Sequence, residues 1–290
     1  MEEVAHLTRL KHAHVVRVIG TYIIGQELSI LLYPVAQCNL EIFLLQVTEH
    51  HQRELYRHKM AALPQFMSCL SNTLAYIHRR LTKHMDIKPQ NILVRELMPT
   101  EPLSSKGIKF KVYVTDFGIS RNYNTVEATE TEGPTMFTRR YAAPEVVDQD
   151  KRGLPADVFS LGCVFAEMVA TLAGSNRSDD SPVLALRRTL RSNGFGDSSY
   201  QANIDGVHQL MDTLSTNLLL SMPYSDQNHD LYLVDRVRLE LYTNLVKRMT
   251  DKDPIKRPRG EDLVIKLRGT SSLCCVDGPD ELMAAPPDDG

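Results

Sequence analysis

Asp86, Lys88 and Asn91 lie within one short stretch, His84-Met85-Asp86-Ile87-Lys88-Pro89-Gln90-Asn91, and supply a carboxylate, an ammonium and an amide. Asp86 and Asn91 are too far apart for one face of a strand, but a loop folds both side chains toward one point. Pro89 disfavours helical angles at Lys88, so the stretch reads as an ordered loop feeding the apolar strand Ile92-Leu93-Val94. A carboxylate, a cation and an amide oxygen converging there suit an anionic, metal-bound substrate such as a nucleotide phosphate. By itself the stretch is also compatible with an ordinary polar loop behind a helix. Its neighbours decide.

Before the loop, Leu63, Phe66, Met67, Leu70, Leu74 and Ile77 recur at helical spacing, with Pro64 fitting a first turn. After it, residues 95–109 are rich in Pro, Ser and Lys and read as a connection. Phe110–Val114 then alternates as a strand that ends at Thr115-Asp116-Phe117-Gly118. Pairing the two strands brings Asp86 and Asp116 to the same end of a small sheet. Upstream, residues 1–11 read as a helix with Val4, Leu7 and Leu10 on one stripe. Val15–Ile24 and Leu28–Val35 read as a hairpin turning at Gly25-Gln26, with Pro34 ending its second strand. Residues 49–59 are polar and read as a solvated surface; His50, His51 and His58 lack metal-ligand spacing.

Downstream, residues 119–140 are threonine-rich without periodicity, are expected to be mobile, and close at Tyr141-Ala142-Ala143-Pro144-Glu145. Asp157 precedes Val158, Leu161, Val164, Phe165, Met168 and Val169, a run apolar nearly all round, as in a helix buried at a domain centre. Residues 174–230 read as an insertion with helices at 183–190 and 204–220; further helices fall at 239–249 and 260–267. Residues 271–290, ending in Pro286-Pro287-Asp288-Asp289, read as a disordered tail.

The 290 residues, 42% hydrophobic, suffice for one large domain or two modest ones. Lys and Arg number 33 against 36 Asp and Glu, and this balance argues against a nucleic-acid-coating protein or one drawn strongly to membranes. The five cysteines, Cys38, Cys69, Cys163, Cys274 and Cys275, form no C-x-x-C pair and no disulfide framework, which points to a reducing compartment. The acidic start lacks a secretory signal, and the apolar runs at 28–36 and 161–173 read as too short or too polar to span a bilayer. A soluble intracellular chain, cytoplasmic or nuclear, is expected.

Four motifs stand in order: H-M-D-I-K-P-Q-N at His84–Asn91, D-F-G at Asp116–Gly118, A-P-E at Ala143–Glu145 and D-V-F-S-L-G at Asp157–Gly162. Together they resemble the eukaryotic protein kinase family from about Glu3 to Leu267. The resemblance implies an α+β, two-lobed fold and transfer of the ATP γ-phosphoryl group, with Mg2+, to a serine or threonine hydroxyl of a protein substrate. It implies Asp86 as the carboxylate that orients the acceptor hydroxyl, and Lys88 at the transferring phosphoryl group. Asn91 and Asp116 would hold the metals. Thr138 would tether Asp86 and Lys88. Tyr33 and Val35 would act as the hinge beside the nucleotide, Leu32 as gatekeeper and Leu93 as a further contact. Glu3 matches the helix glutamate that pairs with an ATP-holding lysine. Leu7, Val18, His84 and Phe117 match an apolar spine, Glu145 and Arg257 a buried ion pair, and Asp157 an anchor for the loop backbone.

The chain departs from that pattern twice. Met85 stands where many family members have an arginine that reads a phosphate. Thr125, Thr129, Thr131 and Thr135 are therefore expected not to form an essential phosphorylation switch through this position. The glycine-rich loop and the lysine-bearing strand are not found: no G-x-G-x-x-G occurs, and Gly194-Phe195-Gly196 lacks the third glycine. The resemblance thus implies a partial N-lobe at 1–36, a C-lobe at 37–270, and an unpaired sheet edge in the N-lobe. The leading expectation is a protein serine/threonine kinase. The alternative is a pseudokinase-like scaffold that binds protein partners.

Overall fold

The computed structural model describes residues 10–25, 27–49, 53–105, 107–117, 121–122, 129, 137–150, 153–174, 181–217 and 236–268. Among the described residues three small sheets accompany a mainly helical body, an α+β architecture. Strands β1 (Arg17–Ile24) and β2 (Glu27–Tyr33) form the expected antiparallel hairpin, with Gly25 at φ 63° in the turn. Only glycine takes that angle without steric cost. The second strand ends before Pro34, as the missing proline donor requires.

The second sheet places β5 (Ile92–Glu96) between β3 (Cys38–Asn39) and β6 (Phe110–Val114). β5 and β6 are antiparallel with Ile92 opposite Val114, so the loop before β5 and the segment after β6 meet at one end. Val114 also exchanges backbone hydrogen bonds with residues 14–16, at 2.8 and 3.1 Å, and Gln37 N–H donates to the Val94 carbonyl at 3.2 Å. Both ends of the hairpin are thereby tied to this sheet. The third sheet pairs β4 (Thr82–Lys83) with β7 (Arg121–Asn122).

Helix α1 (Leu40–Glu49) has no counterpart in the sequence reading. Leu40, Phe43, Leu44 and Val47 are its buried stripe, and Asn39 Oδ1 caps it by accepting from Ile42 N–H at 3.0 Å. Helix α2 (Arg53–Arg79) starts ten residues earlier than its apolar spacing suggested. Pro64 therefore sits in the helix interior rather than the first turn. Its ring removes one hydrogen bond to the preceding turn. The helix continues because Leu63, Phe66, Met67, Leu70, Leu74 and Ile77 are all buried. The stretch read as solvated holds only in part: Glu54 is exposed and residues 55–58 are half-buried. Lys59 is buried in α2 and donates to Gln46 Oε1 at 2.8 Å, while His50 and His51 lie outside the described residues.

Beyond the short helices α3 (Pro102–Ser105) and α4 (Pro144–Val147) comes α5 (Pro155–Ala173), the centre of the fold. Its length and mean hydropathy of 1.6 would suit a bilayer span, so the run is longer than the sequence suggested. It is 89% buried inside the protein, which makes it a core helix. Helices α6 (Pro182–Thr189), α7 (Ile204–Asn217), α8 (Arg236–Met249) and α9 (Gly260–Leu267) complete the body. α5 packs on α8, and α2 on α9. Gly162 allows the α5–α8 approach: a Cβ there would come within 2.8 Å of Met249 and Thr250. Cys38, Cys69 and Cys163 are free thiols. The expected helix at 1–11 up to residue 9, most of 119–136 and the tail lie outside the described residues.

Candidate active site

Asp157, at the start of α5, organises the loop. Its Oδ2 accepts from the His84 backbone N–H and its Oδ1 from that of Met85, each at 2.8 Å. His78 Nε2 lies 3.2 Å from Oδ2. Burial alone would raise the Asp157 carboxyl; hydrogen bonding and charge from His78, with His84 assisting, overturn that and hold it below the usual range. Met85 has φ 69°, a left-handed angle that costs a side-chain-bearing residue roughly 1–2 kcal/mol. The paired bonds to one carboxylate hold the backbone in that turn.

His84 is fully buried, with its ring 4.6 Å from the buried ring of Phe117. Nδ1 accepts from Asp86 N–H at 3.3 Å, so Nε2 carries the proton and donates to the Thr115 carbonyl at 3.0 Å. Burial pushes its pKa down despite the carboxylates nearby. His84 is thus a neutral packing residue that ties the loop to the strand end bearing Asp116.

Lys88 Nζ donates to Asp86 Oδ2 at 2.5 Å and to Thr138 Oγ1 at 2.8 Å. Asn91 Nδ2 donates to the Asp86 carbonyl at 2.9 Å and to Asp86 Oδ2 at 3.1 Å. Burial works to raise the Asp86 pKa, but the hydrogen bonds from Lys88 and Thr138 and the lysine charge leave it below the ordinary value. Asp86 is therefore an oriented carboxylate that stays ionised at neutral pH. The Thr115 N–H to Asn91 carbonyl bond, 3.0 Å, joins this cluster to the Asp116 segment.

Asp116 is exposed, with φ 62°, and makes no ion pair among the described residues. Asn91 spends its amide hydrogens on Asp86, which leaves its oxygen as an available hard ligand. One carboxylate and one amide oxygen fit Mg2+, which is typically held by few protein ligands plus substrate phosphates. No group of three His, Cys, Asp or Glu side chains able to hold a metal occurs among the described residues.

The other predicted positions divide. Glu145 and Arg257 form a bidentate pair at 2.6 and 2.8 Å, buried, and Arg257 also donates to the Asp251 and Pro155 carbonyls. Tyr33 and Val35 are exposed at the end of β2, Arg17 lies over the Tyr33 ring, and Leu93 is half-buried on β5. Glu3 and Leu7 lie outside the described residues. Of the four threonines only Thr129 is described, and it is buried.

Three contributors escaped the sequence reading. His78 supports Asp157 from the last turn of α2, seventy-nine positions away. Gln90 donates to Glu41 Oε1 on α1 at 2.8 Å. Lys83, fully buried beside His84, donates to the Thr129 carbonyl at 2.6 Å. No spacing pattern announces any of these, because each depends on the partner that the fold delivers.

The chain is similar to known protein kinases. The chain is 24% identical over 266 residues to the meiosis induction protein kinase IME2/SME1 of Saccharomyces cerevisiae, covering 86% of this chain and 40% of that protein. It is 28% identical over 172 residues to cyclin-dependent kinase E-1 of Arabidopsis thaliana, covering 58% and 34%. Against cyclin-dependent kinase 4 of Xenopus laevis it is 38% identical over 106 residues, covering 37% and 27%. The chain thus spans between 27% and 40% of the length of these curated relatives. The protein kinase domain matches residues 1–266, and the chain belongs to that family.

Proposed function

We propose that this chain transfers the γ-phosphoryl group of ATP to a serine or threonine hydroxyl of a protein substrate. The observation that carries the reading is the Asp86–Lys88–Thr138–Asn91 cluster. Asp86 accepts the hydrogen bond of the incoming hydroxyl and aims its oxygen at the phosphorus. Lys88, held by Thr138, places positive charge beside that carboxylate, where the transferring oxygens gather negative charge. Asn91 and Asp116 would hold Mg2+, which neutralises phosphate charge when bound. Tyr33, Val35 and Leu93 are assigned to the nucleotide side, with residues 1–36 as the smaller lobe and 37–270 as the larger.

The test is transfer of labelled phosphate from MgATP to a serine/threonine peptide library, by the parent chain and by Asp86→Asn and Asp116→Ala. Loss in both variants, with their folded circular dichroism retained, supports the assignment. Full activity in either variant refutes it. A partner-binding scaffold without turnover is the second reading. It is favoured by the β1–β2 hairpin, which leaves Ile19, Tyr22, Ile23, Ile24 and Leu31 exposed.

A further inference from the structure

A cavity of ≈ 320 Å³ lies beside the candidate active site, lined among others by Glu41 of α1, Arg140, Tyr141, Glu167 of α5, and Arg187 and Arg191 at the end of α6. Two links connect it to the catalytic loop. Tyr141 lines both this cavity and the narrow cleft that contains Asp86 and Thr138. Gln90, two residues beyond Lys88, reaches Glu41 on the cavity rim. The shared Tyr141 makes the two openings neighbours, and an extended peptide advances about 3.3 Å per residue, so a residue within a few positions of the acceptor is the one the cavity would meet.

The charges of the cavity are unequally engaged. Glu167 Oε1 accepts from the Tyr141 and Tyr200 hydroxyls at 3.0 and 3.1 Å, and Arg140 lies 3.8 Å from it. Burial raises the Glu167 pKa above the ordinary value even so. Glu41 accepts the Gln90 amide and lies within the field of Arg140. Arg187 and Arg191 are exposed, sit four apart on one side of the chain, and make no ion pair among the described residues. The acids are thus occupied by protein donors, whereas two guanidiniums at the mouth hold unspent donors.

We propose that this cavity binds an anionic side chain of the protein substrate close to the phosphoacceptor, through Arg187 and Arg191 with Arg140 behind them. This specificity role rests on the kinase reading above. Guanidinium forks suit both carboxylate and phosphate oxygens, so the shared chemistry is an oxyanion, and the experiment separates its two sources.

The test uses peptides with a single serine in which each flanking position in turn is Ala, Glu, Lys or phosphoserine. Binding is measured by fluorescence anisotropy and turnover as kcat/KM. At one position Glu or phosphoserine should bind at least about fivefold tighter than Ala, the gain expected from one charge-assisted hydrogen bond in a half-exposed site. A gain with both assigns a general anion site; a gain confined to phosphoserine assigns a site for substrates already phosphorylated. Arg187→Glu combined with Arg191→Glu should reverse the preference in favour of Lys. Arg187→Gln with Arg191→Gln should erase it and guards against misfolding of the reversed variant. A parent chain without preference at any position overturns the proposal, as does a preference that survives the charge reversal. The kinase reading fails separately: peptides would then bind with the same anionic preference while no phosphate is transferred.

Discussion

The loop at His84–Asn91 and the hairpin at Arg17–Tyr33 are built on opposite terms, although both border the same small sheet. In the loop, backbone N–H groups of His84, Met85 and Asp86 end on side chains, and the side chains of Asp86, Lys88, Asn91 and Thr138 bond one another. In the hairpin the bonds are those of the two-stranded ladder, and Ile23 and Ile24 are 72% and 65% exposed. A cluster fixed from several directions presents one geometry to a substrate, which is what electrostatic catalysis needs. A ladder with uncovered apolar side chains instead offers surface for a further layer. The difference separates what the fold holds ready for chemistry from what it holds ready for contact.

The largest expected effect lies at the centre of the fixed region. Asp86→Asn should lower kcat by about 10²–10⁴-fold with little change in KM for ATP, because in the proposed function the group orients the acceptor hydroxyl and takes no part in nucleotide binding. A loss smaller than tenfold in steady-state assays would detach Asp86 from the transfer step. Next in size is the buried pair. Arg257→Met leaves the Glu145 carboxyl in the core without its partner, and the urea midpoint should drop by the equivalent of about 3–5 kcal/mol. Asp157→Asn is smaller: one oxygen still accepts, but an amide now faces the second N–H, for about 1–3 kcal/mol of stability. Because Met85 loses its left-handed clamp, kcat should fall while KM stays nearly constant.

The sequence made the centre of this arrangement legible because its parts are adjacent. Asp86, Lys88 and Asn91 share one loop, and the strands that bring Asp116 to it follow within thirty residues. α5 was equally plain, since a helix apolar all round has one place to go. Helix α1 carries a stripe at Leu40, Phe43, Leu44 and Val47 that is short and runs straight into polar residues, so its helical period is weakly marked. Pro64 misled for a physical reason: a proline is most often a start signal, and only the summed burial of six apolar neighbours overrides it. Lys83 and His78 were beyond reach. Their burial and partners arise when distant segments close on them, and residue type alone gives a solvated charge as the default.

Acidity probes the packing just before the hairpin. His12 is buried against Tyr76, and burial, aided by nearby positive charges, lowers its pKa to about 3. The folded chain keeps it neutral while the unfolded chain protonates it near 6.5, so the unfolded state binds more protons in between. Stability should therefore fall as pH drops from about 6.5 toward 3. His12→Gln should flatten that slope when urea midpoints are compared across the window. An unchanged slope would mean that His12 is protonated in the fold.

The smallest effect belongs to the hairpin, and it decides whether the contrast holds. Ile23→Thr and Ile24→Thr remove apolar atoms already in water and keep β-branched side chains, so strand propensity is preserved. The change in unfolding free energy should stay within about 0.5 kcal/mol, the range of surface substitutions. A loss of 2 kcal/mol or more from either substitution in the purified chain would mean that the side of the hairpin bearing that residue is covered in solution, because only buried methyl groups carry that weight. The hairpin would then belong with the loop as a packed element. An unchanged stability, with binding of a partner lost in one of the variants, would instead identify the side which that residue occupies as the contact layer that its exposure suggests.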